Sequence, residues 1–267
     1  MQAQEDQQES GSAHEERERT NPAKRLIHIL SLTSRMPDQA PMLEVWGSVF
    51  GIAADDAHAD PHAISSRLNL VRNEVLLLRK LMSATSFSSD LYEPALMAVL
   101  NVISVANLSS GWGNFRPNLA EHQMLALRWC TQAIESEDAL SHEELQRLMD
   151  ALTAFRKTVE DDDLPEPVRV FVLHQVDLIV RGIDDYPIRG RQAMREAAKQ
   201  AAAEVIDSHD DVAEAAPVAL REKLASYWRV SLGAAEGSQK MVKLVTGIAE
   251  AVPKLVSAMH AASNSLE

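Results

Sequence analysis

The sequence predicts an all-α protein of about ten helices. Apolar residues recur at spacings of three and four through most of the segment from Asn21 to Ala262, which is the period of a helix with one buried face. Asp90, Asn118 and Ser141 each stand three residues before a glutamate, a pattern typical of helix starts. No Asn-Gly or Asp-Gly pair separates alternating apolar residues, so the strongest hairpin signal is missing.

Capping residues and prolines predict the first helices. One helix opens at Asn21, which is followed by proline, and ends before Pro37. A second helix is predicted from Pro41 to Ile52, and a long third helix opens at Asp60. The long helix carries one apolar stripe, formed by Ile64, Leu68, Val71, Val75, Leu78 and Met82.

Capping boxes predict the next three helix starts. The pairs are Asp90 with Glu93, Asn118 with Glu121, and Ser141 with Glu144. The middle helix is expected to bury Leu125 and Trp129, which lie one turn apart.

Two further helices complete the predicted body. The first runs from Pro165 to about Asp185. It includes residues 168–172, whose three valines and phenylalanine would suit a strand but continue at helical spacing. The segment 186–190 is expected to turn the chain. An Ala-rich helix follows it and ends near Asp207.

We divide the chain into four segments. Residues 1–20 are acidic and poor in large apolar side chains, so we expect a disordered tail. Residues 21–206 form the helical body, and residues 207–262 form a C-terminal pair of helices. Residues 263–267 are a short tail whose last two residues are typical of a cloning vector. The acidic tail lacks the features of a secretion signal, which predicts a cytoplasmic protein.

Composition excludes several classes of function. The single cysteine excludes a disulfide framework and a cysteine-built zinc or iron–sulfur site. The net charge of −13 argues against nucleic-acid binding, which needs a concentrated basic surface. The same charge suits a basic protein partner, whose approach it would steer. No phosphate-loop, dinucleotide-binding, nucleophile-elbow or zinc-protease motif is present, and no cofactor is predicted.

A cluster of histidine and aspartate precedes the long helix. In a loop, His58, Asp60 and His62 could present imidazole and carboxylate groups to a divalent metal ion. The simpler interpretation is that Asp60 caps the helix and that the acidic neighbours suit its positive N-terminal dipole.

One pair of residues suggests an enzyme. Arg169 and His174 match the arginine–histidine spacing that resembles the signature of HEPN ribonucleases, which are all-α. The resemblance implies that histidine acts as general acid or base while arginine stabilises the transition state. A second match joins Arg116 to His122, and chance alone gives about two such matches in a chain of this composition. A structural role for the histidine is the alternative.

The segment 109–117 is the most unusual predicted loop. It carries two glycines together with Trp112, Phe115 and Arg116, which are residue types enriched at binding hot spots. The alternative is that the two aromatic side chains fold back between two helices.

The last predicted helix has a continuous apolar face. Its candidate partner-binding residues are Leu244, Ile248, Val252 and Leu255. Residues 238–262 carry three lysines and one glutamate, in contrast to the acidic chain as a whole. Such a segment can pack on its own body or a second copy, bind a partner's groove, or make peripheral membrane contact through residues 240–260.

These observations favour a non-catalytic protein that binds another macromolecule. The expected surfaces are the acidic body, the Gly-Trp-Gly loop and the amphipathic C-terminal helix, with either a protein partner or self-association. A metal-independent ribonuclease and a membrane-active effector are the alternatives.

Overall fold

The computed structural model describes residues 19–207 and 218–233, and these residues confirm the all-α prediction. The helices of the N-terminal half are α1 (Pro22–Leu32), α2 (Met42–Val49), α3 (Ala54–Ala59), α4 (Pro61–Ser83), α5 (Glu93–Val102) and α6 (Glu121–Ala133). Those of the C-terminal half are α7 (His142–Asp161), α8 (Glu166–Arg189), α9 (Arg191–Asp207) and α10 (Val218–Gly233). Strands β1 (Arg19–Thr20) and β2 (Glu137–Asp138) form a short antiparallel ribbon.

Buried apolar residues form two clusters. The first lies among α1, α2, α4, α5 and α6 and includes the side chains of Trp46 and Trp112. The second lies among α7, α8, α9 and α10 around Phe155 and Trp228. Helix α8 joins the two, because it contacts α1 and α4 and places Ile188 in the first cluster.

A buried arginine lies where the two halves meet. The Arg25 guanidinium on α1 donates to Glu74 on α4 at 2.9 Å and to Glu137 of β2 at 2.8 Å. Arg25 and Glu74 are 7% and 2% exposed. Burial raises the pKa of Glu74, and the neighbouring Arg25 charge opposes that effect. Removing one partner of such a pair leaves an uncompensated buried charge, which costs roughly 3–5 kcal/mol.

The end of α8 passes directly over this ion pair. Gly190 ends the helix with φ +57°, a value that favours glycine. A Cβ atom at Gly190 would lie 2.5 Å from Nη1 of Arg25 and 2.7 Å from Oε1 of Glu137. Close approach of the chain therefore requires a residue with no side chain at this position.

The observed helix starts show which local sequence signals predicted a helix N-terminus correctly. Asn21 caps α1, Asp60 caps α4, and Ser141 forms the predicted capping box with Glu144. The other two predicted boxes are wrong: α5 follows Tyr92 and α6 follows Ala120, and neither residue makes a side-chain cap. Asp90 lies instead in a 3-10 turn, and Asn118 lies in another.

Three other segments differ from the predictions. Residues 54–59 form α3 rather than a loop. Helix α8 continues past Asp185 to Arg189, with Pro187 in its last turn, rather than turning at residue 186. Arg19 and Thr20 were assigned to the tail, but they pair with β2. The sequence did not indicate this pairing, because the two strands are more than 100 residues apart in the chain. The rest of the predicted tail lies outside the described residues.

Substitution of Gly190 by alanine is expected to destabilise the protein more than the same substitution at Gly51. Gly51 also has a positive φ, of +70°, but a Cβ atom there meets nothing within 4 Å. Both variants bear the cost of a backbone conformation with positive φ, about 1–3 kcal/mol. Only G190A crowds Arg25 and Glu137, which adds about 1–3 kcal/mol to the loss. Urea unfolding of both variants measures the difference, and equal losses would contradict this account of Gly190.

Candidate functional site

An apolar groove lies between the end of α4, the loop after it, and α6. Its pocket has a volume of about 300 Å³. The floor is formed by the buried side chains of Met82, Tyr92 and Cys130. The walls and rim are formed by Phe87, Leu91, His122, Leu125, Ala126 and Trp129. We refer to these nine residues as the apolar groove.

The walls of the apolar groove expose large apolar side chains. Leu91 is 63% exposed, Trp129 61% and Leu125 49%. Single exposed apolar residues are ordinary, but several around one pocket resemble a contact surface. Tryptophan is also the residue type most enriched at binding hot spots.

Helix α6 produces this surface because two of its faces are apolar. Leu127 and Cys130 are buried against the first cluster, whereas Leu125 and Trp129 face the groove and solvent. The prediction that Leu125 and Trp129 are buried is therefore wrong. The residues of both apolar faces recur at similar helical spacings, so the sequence does not distinguish the faces. The face with Leu127 is buried because it packs against α1 and α5.

The groove floor contains one potential nucleophile in an unreactive state. Cys130 is 1% exposed, and burial raises the pKa of its thiol to about 11. The thiolate is the nucleophilic form, so this cysteine is protonated and inert at neutral pH. Its position suits contact with an apolar group rather than covalent chemistry.

Exposed charged residues are sequence neighbours of groove residues. Asp90 precedes Leu91, Glu121 precedes His122, and both carboxylates are exposed. Arg128 is exposed beside Trp129. Exposed charges of both signs therefore flank groove residues in the sequence, with carboxylates on two different elements.

The Gly-Trp-Gly loop packs inward at its tryptophan. Trp112 is 1% exposed, and its backbone N–H donates to the carbonyl of Ala40 at 2.8 Å. Phe115 is half-buried against the first cluster. Arg116 is exposed and pairs with Asp38 at 2.8 Å. This correction removes Trp112 from the candidate contact surface, because its side chain fills the core.

The metal candidates have separate structural roles. Asp60 accepts the backbone N–H of His62 at 3.0 Å and caps α4, while His58 lies 3.0 Å from a carboxylate oxygen of Glu44. In residues 19–207 and 218–233, no three histidine, cysteine, aspartate or glutamate side chains form a metal-binding group.

The ribonuclease candidates contact different helices. Arg169 donates to the carbonyl of Asp162 at 3.1 Å, which secures the connection from α7 to α8. His174 lies with Nε2 2.7 Å from Oε2 of Glu204 on α9. Because each side chain has its own structural partner, the geometry gives no support to their acting as a catalytic pair.

The predicted C-terminal contact residues Leu244, Ile248, Val252 and Leu255 lie outside the described residues. Among the helices that the structure describes, none combines the length and apolar character needed to cross a bilayer.

Comparison of the chain with protein-family models, curated proteins and solved structures gives no match. The apolar groove was not predicted from the sequence. One sequence signal could have indicated it. Two sets of apolar residues recur at helical spacing in α6, Leu125 with Trp129 and Leu127 with Cys130, so the helix has two apolar faces.

Cys130 is expected to react slowly with iodoacetamide in the native protein. At pH 8 a thiol of pKa about 11 has roughly 100-fold less thiolate than one with the ordinary value, and burial slows access further. The native rate should keep rising up to about pH 11, whereas the rate in urea should level off above pH 9. Mass spectrometry follows the single cysteine, and equal rates in the native and unfolded chains would contradict its burial.

Proposed function

We propose that the protein is a non-catalytic binding protein that holds an apolar segment of a protein partner in the apolar groove. The observation that carries this proposal is the exposure of Leu91, Leu125 and Trp129 around one pocket. Water is displaced from these side chains when an apolar partner covers them, which supplies a driving force for binding.

The size of the pocket favours one bulky side chain over a complete small-molecule ligand. Ligand pockets span roughly 300–1,000 Å³, and this one, at about 300 Å³, lies at the lower limit. A single leucine, phenylalanine or tryptophan side chain would fit such a volume. The exposed side of α6 extends the surface beyond the pocket, as in grooves that bind an amphipathic helix.

Charge supports a basic partner. The chain carries a net charge of −13, and the exposed Asp90 and Glu121 precede the groove residues Leu91 and His122 in the sequence. Such a charge steers the approach of a basic protein and affects the association rate more than the affinity. The predicted amphipathic face of residues 241–259 is a second contact surface in this proposal.

Substitution of Trp129 by alanine is expected to weaken partner binding about 30-fold, which is the loss of a hot spot of about 2 kcal/mol. Trp129 is 61% exposed, so the fold should change little. The matched control is Val170→Ala on α8, where the side chain is 56% exposed and far from the groove residues in sequence. The partner is captured from native cells with the wild-type chain, identified by mass spectrometry, and titrated against each variant. Equal binding by wild type and W129A would refute the groove as the binding site.

The association rate of the captured partner is expected to fall with salt. Between about 50 and 500 mM sodium chloride the screening length shortens several-fold, so steering by the acidic surface weakens. The dissociation rate should change much less, because it depends on the apolar contact. Stopped-flow fluorescence separates the two rates. An association rate that does not vary with salt would contradict a basic partner.

A further inference from the structure

We propose that the Tyr92 hydroxyl makes the apolar groove selective for a tryptophan side chain of the partner, whose indole N–H donates to it. This inference rests on the proposed function and deepens it, because it names the partner group that fills the pocket. Its basis is a hydrogen-bonding group left without a partner on an otherwise apolar floor.

The hydroxyl of Tyr92 differs from those of the other two tyrosines in the chain. The Tyr186 hydroxyl accepts the backbone N–H of Leu140 at 2.9 Å, and the Tyr227 hydroxyl donates to the carbonyl of Ala151 at 3.3 Å. Tyr92 is as buried as Tyr186, at 5% and 4% exposed. Among the residues that the structure describes, however, the Tyr92 hydroxyl makes no hydrogen bond. A buried tyrosine hydroxyl usually has a partner, so this one is available to a ligand.

The Tyr92 hydroxyl reaches solvent through the groove. The indole nitrogens of Trp46 and Trp112 also lack partners, but both are sealed from solvent. The Tyr92 oxygen is not sealed in this way, and its side chain lines the pocket. Because only 5% of Tyr92 is exposed, we place this contact with solvent in the pocket. A group that fills the pocket therefore meets the hydroxyl.

The rest of the groove floor offers no comparable hydrogen-bonding group. Met82 and Cys130 contribute a thioether and a protonated thiol, which are weak hydrogen-bonding groups. A leucine or phenylalanine side chain that displaced water from the floor would leave the Tyr92 hydroxyl unpaired, which is unfavourable for a buried polar group. A site with such a group favours an occupant that can pair with it. The occupant therefore needs a polar atom at its buried end.

A tryptophan side chain meets the requirements of the pocket. Its ring is large and flat, and the groove walls include the aromatic side chains of Phe87 and Trp129, which suit contact with another ring. Its single polar atom is an N–H donor, so one bond to the Tyr92 oxygen satisfies it. The pocket of about 300 Å³ accepts one such side chain rather than a longer segment. Lysine or arginine beside that tryptophan would suit the net charge of −13.

Two short peptides test the selectivity with the full chain. Each carries one aromatic residue between lysines: tryptophan in the first peptide, and benzothienylalanine in the second, where sulfur replaces the indole N–H in a ring of similar shape. Isothermal titration calorimetry should show about tenfold tighter binding of the tryptophan peptide to the wild type. The variant Tyr92→Phe should bring the two affinities within about twofold, chiefly by weakening the tryptophan peptide. W129A should weaken both peptides, because it removes a wall of the groove.

A matched tyrosine separates selectivity from stability. Tyr186→Phe removes a hydroxyl that has a partner, so this variant should lower the urea midpoint and keep the preference for tryptophan. Tyr92→Phe removes a hydroxyl without a partner, so its urea midpoint should stay close to that of the wild type. A drop as large as that of Y186F would show that the Tyr92 hydroxyl serves the fold, and would overturn the inference.

The outcomes distinguish this inference from the proposed function. Equal binding of the two peptides by the wild type, or a tryptophan preference that survives in Y92F, would overturn the selectivity. The same holds if neither peptide binds or if W129A leaves their affinity unchanged, because tryptophan would then not occupy the groove. In each of these cases, weaker binding of the captured partner by W129A would leave partner binding by the groove intact.

Discussion

The buried Arg25 guanidinium, shared between Glu74 and Glu137, is the interaction on which the arrangement of helices depends. It joins α1, α4 and β2, and the end of α8 passes over it at Gly190. Removing these charges from water is unfavourable, and their mutual attraction offsets that desolvation only when all partners are in place. A shift of α1, α4 or β2 would leave a charge of this group buried without its partner, which is strongly destabilising.

The same region fixes the helix that carries the apolar groove. Asn21 caps α1 with its side-chain oxygen, and its amide nitrogen donates to the carbonyl of Thr131 near the end of α6 at 3.1 Å. Leu127 and Cys130 are then buried, and this rotation of α6 leaves Leu125 and Trp129 on the outside. Exposure of the groove is therefore a consequence of how α6 is anchored. An apolar face held at the surface in this way supports a binding role, and a protonated, buried thiol on its floor suits contact rather than chemistry.

Local sequence determined the helical class and several helix starts. The caps at Asn21, Asp60 and Ser141 were predictable because each involves groups within three residues of one another. The boxes at Asp90 and Asn118 failed because their backbones enter 3-10 turns before the next helix begins. The inward packing of Trp112 was one of two readings that the sequence left open, since glycines on both sides permit the loop to fold either way.

Tertiary structure alone decided which of two apolar faces of α6 is buried, that Arg19 and Thr20 pair with β2, and that Arg25 meets two carboxylates distant in sequence. The spacing of apolar residues shows that a helix has an apolar face, but whether that face is buried depends on what packs against it. The sequence therefore determined a set of amphipathic helices with defined starts. The groove exists because the contacts of α1 and α5 with α6 occupied one apolar face and left the other to solvent.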